Sequence, residues 1–85
     1  MGRARIVQPT LLPEKLKQIR LKQGWSQQQM AERLAKPGLI VRPGHVSEYE
    51  TGKRNVSLLI LLQYARLAGV SVESLIDDRL KLPKT

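Results

Sequence analysis

Leu12, Leu16 and Ile19 recur every three to four residues along an otherwise polar stretch, the period of a single buried helix stripe. Pro13 suits a first-turn position and Gly24 a stop, which predicts helix 1 over about Pro13–Gln23. Ser26 and Gln29 stand at the spacing of a capping box, with Trp25 and Met30 flanking them as a hydrophobic staple. Two independent devices thus predict one start for helix 2, and Pro37-Gly38 ends it near Lys36. A loop carrying Leu39 and Ile40 follows. Pro43 fits the first position of helix 3, which buries Val46 and Tyr49 and stops at Gly52 in the left-handed position. Ser57 caps helix 4, which runs to Ala68 before Gly69. Ser71 caps a short helix 5, with Val70 and Leu75 as a second staple. No stretch alternates with the period of a strand, so the expected class is all-α, a bundle of five helices. Met1–Thr10 and Arg79–Thr85 carry no apolar periodicity. The expected organisation is a flexible basic arm over 1–11, one folded domain over 12–78 and a tail over 79–85.

Charge sharpens this picture. The net charge is +8, of which residues 1–54 contribute +7 and residues 55–85 only +1. Such a bias attracts polyanions and speeds association with them, whereas the bland alternative is a basic surface kept soluble by repulsion. At 85 residues there is room for one small domain whose core is marginal alone, which makes dimerisation a reasonable expectation. The absence of cysteine removes disulfides, thiolate catalysis and cysteine-based zinc sites, and His45 is the only histidine. No nucleophile has a base and an orienting group beside it, and Asp77-Asp78 reads as a solvated helix end. No enzyme activity, metal or cofactor is therefore expected. The longest apolar run, Leu58 to Leu62, falls far short of the ~20 residues that span a bilayer. Met1–Thr10 lacks the apolar core of a signal peptide, so a cytoplasmic location without membrane attachment is the expectation.

Three motifs carry a family likeness: Trp25-Ser26-Gln27 with Met30-Ala31, Ser47-x-Tyr49-Glu50-x-Gly52-Lys53-Arg54, and Ala68-Gly69-Val70-Ser71. From Leu12 to Ile76, in this order and spacing, the chain resembles the Cro/C1-type (XRE-like) helix-turn-helix family of phage and bacterial repressors. The resemblance implies a bundle of the lambda-repressor-like DNA-binding type, with helix 3 in the major groove and helix 2 crossing the backbone above it. It also implies a partly buried ion pair between Arg20, late in helix 1, and Glu50. One departure stands out, because Ala35–Ile40 enlarges the turn between helices 2 and 3 by about five residues. Either Leu39 and Ile40 pack on the core as an apolar flap, or the insertion alters how deeply helix 3 enters the groove.

The same resemblance gives Gln27 a phosphate contact at the first turn of helix 2, where free amides and the positive helix end suit an anion. Lys53 and Arg54 would meet the backbone again just past Gly52. The outward face of helix 3 offers Arg42, Pro43, Gly44, His45, Ser47 and Glu48. Arg42 is long enough for a guanine or a phosphate, His45 can donate or accept at a base edge, and Ser47 bonds promiscuously. Glu48 repels phosphates unless it accepts from a cytosine amino group, and a salt bridge to Arg42 or a neighbouring cation is its alternative. Pro43 and Gly44 stand where the family often has glutamine or serine and cannot read a base by hydrogen bonding. That predicts a reduced direct code leaning on shape and phosphates. Arg3 and Arg5 either reach into a minor groove or make no contact.

Leu58–Leu62 has too many apolar residues for one helix face. With Leu58, Leu61, Leu62 and Ala65 inward, Leu59 and Ile60 lie to one side and, with Leu67, Leu75 and Ile76, form the expected homodimer seam. A richer monomer core is the alternative. The expected function is a sequence-specific regulator of transcription that binds double-stranded DNA, a repressor occupying a palindromic operator as a dimer. The competing function is an antitoxin or interaction adaptor whose apolar helix 4 surface masks a protein partner such as a toxin. A controller of restriction-modification genes is a further role within the family. RNA suits the charge, but single-strand recognition needs stacking aromatics, and Trp25 and Tyr49 are assigned to the core.

Overall fold

Local capping chemistry fixes most helix boundaries. A computed structural model describes residues 10–82, so Arg3, Arg5 and the rest of the expected arm over residues 1–9 lie outside the described residues. The elements are α1 (Leu12–Gln23), α2 (Gln27–Leu34), α3 (Pro43–Thr51), α4 (Leu58–Ala68) and α5 (Val72–Ile76). At the start of α2 the Ser26 hydroxyl accepts from the Gln29 amide at 3.1 Å, and the Gln29 side chain accepts from the Ser26 amide at 2.9 Å. Both halves of the capping box are thus made. The all-α class holds among the described residues, whose one β feature is an isolated bridge between Lys36 and Leu39. No described helix is long and apolar enough to cross a membrane.

That bridge corrects the expected end of α2, which stops at Leu34 rather than near Lys36. Lys36 is taken by a tight turn, its amide donating to the Leu39 carbonyl at 3.1 Å and its carbonyl accepting from the Leu39 amide at 2.8 Å. Pro37 and Gly38 form the turn's centre, and Gly38 has a φ of +82°, a value that glycine alone reaches without strain. Leu39 packs on the core as a flap, but Ile40 does not, since it is 74% exposed. Val41 takes the inward position instead.

α3 packs against both α1 and α2, while α4 and α5 cover the rest of α1. The largest fully buried side chains, Leu12, Leu16, Met30, Leu34, Val46, Tyr64 and Leu75, come from all five helices. The register of α4 differs from expectation. Ile60, Leu61, Tyr64 and Ala65 face inward, while Leu58 is exposed. A run of apolar residues has no internal period, so the buried stripe is set by Tyr64, whose ring fills the core. Its hydroxyl finds no hydrogen-bond partner among the described residues, and burial pushes it well above the usual phenol range. Ile60 and Leu75 are therefore core residues, not seam residues.

The two ends of the fold cap each other. Leu11, at the N-cap position of α1, offers no capping side chain. Asp78 supplies it from the far end of the fold, its carboxylate accepting from the Thr10 amide at 2.9 Å and the Leu11 amide at 3.0 Å. In return Lys15, only 5% exposed, donates its Nζ to the carbonyls of Ser74 at 2.7 Å and Asp77 at 3.1 Å, at the C-terminal end of α5. Asp78 is thus an exposed helix end, as the sequence suggests, but one that is also hydrogen-bonded across the fold. Asp77 pairs with Arg79 at 2.9 Å, which holds its carboxyl down to about 2. Leu82, beyond this clasp, still packs against the core. Replacing Asp78 by Ala should lower the unfolding free energy by about 1 kcal/mol, the usual value of a helix cap, with Asp78→Asn recovering part of it. Denaturant titration checks this, and an unchanged midpoint removes the clasp.

Candidate nucleic-acid interface

Helical spacing divides α3 into two faces. Val46, Tyr49 and Glu50 are buried, whereas Gly44, Ser47, Glu48 and Thr51 form the opposite stripe. Glu50 is the unusual member of the inner face, with a side chain only 3% exposed. Its carboxylate accepts two bonds from the Arg20 guanidinium, from Nε at 2.7 Å and Nη2 at 3.1 Å. The remaining guanidinium nitrogen, Nη1, donates to the Trp25 carbonyl at 2.9 Å. The expected pair therefore exists as a bidentate contact. Its hydrogen bond to Glu50 pushes the Arg20 guanidinium above its usual range, further from losing its charge.

Gln27 joins the same network. Its Nε2 donates to Glu50 Oε1 at 3.3 Å, so the side chain faces the ion pair in the free protein. Of the first amides of α2, those of Ser26 and Gln29 are taken up by the capping box, which leaves the backbone of Gln27 and Gln28 for an outside acceptor.

At the N-terminal end of α3, Arg42 is the exposed N-cap residue, with extended backbone. Its amide donates to Nδ1 of His45 at 3.3 Å. An accepting Nδ1 places the proton of the neutral ring on Nε2, so His45 has a donor left for an outside acceptor. Pro43 and Gly44 are exposed between them.

The C-terminal end of α3 is closed by Gly52, whose amide donates to the Tyr49 carbonyl while the Lys53 amide reaches Glu48 at 2.9 Å. A Cβ at Gly52 would lie 3.4 Å from Pro13, so this turn is seated against the start of α1. Glu48 pairs with Arg54 at 2.6 Å, rather than with Arg42. Arg54 holds the Glu48 carboxyl below its usual range, and the pair is roughly half exposed. Lys53 stays exposed beside it. On α2, the Arg33 guanidinium lies 4.5 Å from the Trp25 ring centre. The fold thus brings Gln27, Arg42, His45, Ser47, Glu48, Lys53 and Arg54 around one helix, with the side chains of Gln27, His45, Glu48 and Arg54 already engaged. Family resemblance and the outward face of helix 3 pointed to these residues; the salt bridge left open for Glu48 is made with Arg54, while the Gln27–Glu50 bond was not anticipated.

A family model described as helix-turn-helix matches residues 16–75. Among solved structures, the crystal structure of the hypothetical transcription factor NHTF from Neisseria is similar, with 22% identity and a TM-score of 0.64. The likeness covers 87% of this chain and 86% of that one, and at this identity it speaks to the fold. No curated protein matches the chain.

Removing Arg20 strands a carboxylate that is almost fully enclosed. Arg20→Ala should cost about 3–5 kcal/mol, a large share of what a domain of this size holds. The double variant Arg20→Met with Glu50→Leu should recover much of that loss, since no unpaired charge is left inside. Thermal melts of the three proteins check the cycle.

Proposed function

The chain belongs to the helix-turn-helix family of the Cro/C1 type, and from that premise we propose that it is a sequence-specific repressor that binds a palindromic operator as a dimer. The family makes it a DNA-binding regulator of transcription. The observation that carries the finer reading is the outward stripe of α3, flanked by the exposed cations Arg42 and Lys53 and left free of core contacts. In this reading α3 enters the major groove and the first amides of α2 grip a phosphate. Arg42 and Lys53 hold the backbone on either side, and Arg54 shares itself between Glu48 and a phosphate. His45 and Ser47 touch base edges, while Pro43 and Gly44 allow close approach without a hydrogen-bond code. Residues 12–78 form the DNA-binding unit in this proposal, with 1–11 and 79–85 as its flanks.

Dimerisation uses a smaller seam than the sequence suggested. Leu59 is 61% exposed and Ile76 44%, with Leu67 half-buried, so these three keep surface for a second copy, and Leu58 joins them. Exposed leucines at the head of α4 also fit the second reading, an adaptor or antitoxin whose partner is another protein.

Selection of duplexes from a random pool should return two short inverted half-sites about one helical turn apart. Lys53→Ala should weaken binding to every sequence and reduce the salt slope by about one. In sedimentation, Leu59→Asp should shift a dimer to monomer and broaden the operator requirement. A wild-type protein that shifts no duplex in dilute buffer defeats the proposal, and a monomer at high micromolar concentration defeats the seam.

A further inference from the structure

The inserted turn between α2 and α3 ends in a side chain that the fold does not use. From Leu39 to Arg42 the exposure alternates: Leu39 half-buried, Ile40 74% exposed, Val41 buried, Arg42 exposed. Such a two-residue period places Ile40 on the same side as Arg42, opposite the core. A single exposed isoleucine on a surface needs no explanation. This one differs in its position. It is separated by two residues from the first residue of α3, and the chain around it is braced. Both bonds of the Lys36–Leu39 turn hold one side, and Val41 in the core together with the Arg42–His45 cap bond holds the other. Exposed Lys36 and Arg42 stand on either side of it in the chain, which suits a polyanion and opposes burial against a basic second copy.

We propose that Ile40 is a specificity-determining residue that packs against the C5-methyl group of a thymine at the edge of the major groove. The inference rests on the proposed placement of α3 in that groove. Apolar contact is how a protein distinguishes thymine without a hydrogen bond. It complements the start of α3, where Pro43 and Gly44 have no hydrogen-bonding side chain to offer. The insertion then extends the reading surface rather than merely filling the core.

The test uses the selected duplex with each thymine replaced in turn by deoxyuridine, which removes only the methyl group. At one position per half-site the replacement should weaken wild-type binding about fourfold, the value of one methyl-sized contact, and should leave Ile40→Ala unchanged. Ile40→Val should keep most of the discrimination, and the melting temperature of Ile40→Ala should match wild type because no core contact is lost. If wild type binds the duplex but Ile40→Ala keeps the same thymine preference, or loses affinity equally on every substituted duplex, the inference is overturned while the proposed function stands. A changed sedimentation coefficient for Ile40→Ala with no loss of thymine preference assigns the residue to a protein contact and likewise overturns it. Absence of any duplex binding by wild type overturns both.

Discussion

A carboxylate enclosed among helices has to be matched bond for bond, and in this protein the matching of Glu50 decides how three helices meet. Burying an unpaired charge costs several kcal/mol, so the fold tolerates Glu50 only while Arg20 holds both its oxygens. Arg20 itself is anchored at two further points, its place on α1 and the Trp25 carbonyl just before α2. Gln27 adds a third donor from α2. The network therefore fixes the azimuth of α3 relative to α1 and α2. A rotation that exposed Glu50 would also turn Val46 and Tyr49 out of the core. Apolar packing alone would permit small rotations, whereas a bidentate pair permits few.

The same directional logic shapes the outer face. Glu48 would repel a phosphate backbone, yet Arg54 neutralises it at 2.6 Å. Because the pair is half exposed, water screens it and its net stabilisation is small. That weakness would suit the proposed sharing of Arg54 between Glu48 and a phosphate. The buried pair on α3 is thus held firmly and the exposed pair loosely, a difference that follows from solvent access together with the bidentate geometry of the buried pair.

Helix boundaries were legible in the sequence because caps act within three or four residues. Ser26, Gln29, Ser57, Gly24, Gly52 and Gly69 each mark an end through local geometry. The ion pair was legible only through family resemblance, since Arg20 and Glu50 lie 30 residues apart. The register of α4 was not legible, because five consecutive apolar residues fit several stripes equally well. Only the ring of Tyr64 seated in the core decides among them, which moved Ile60 inward and Leu58 outward. The clasp was hidden for a different reason. Asp78 serves amides 67 and 68 residues away, and the one hint was negative, a leucine at the N-cap of α1 where a capping side chain would be expected. Ile40 was misjudged because two adjacent apolar residues in an extended segment cannot both face inward.

These contacts make α1 the common frame of the molecule. Through Arg20 it holds α3, and through Lys15 and the amides accepted by Asp78 it holds the end of α5. A protein surface on α4 and α5 would therefore be referred to α3 largely through α1, with the packing of α4 on α2 as a second route. Two consequences follow physically. A seam built on α4 and α5 would set the distance between two copies of α3 with little slack, because each step in the linkage is a short, directional bond. Loosening the clasp would leave the Arg20–Glu50 pair at the other end of α1 intact, while the Gly52 turn that closes α3, seated against Pro13, lies close enough to respond.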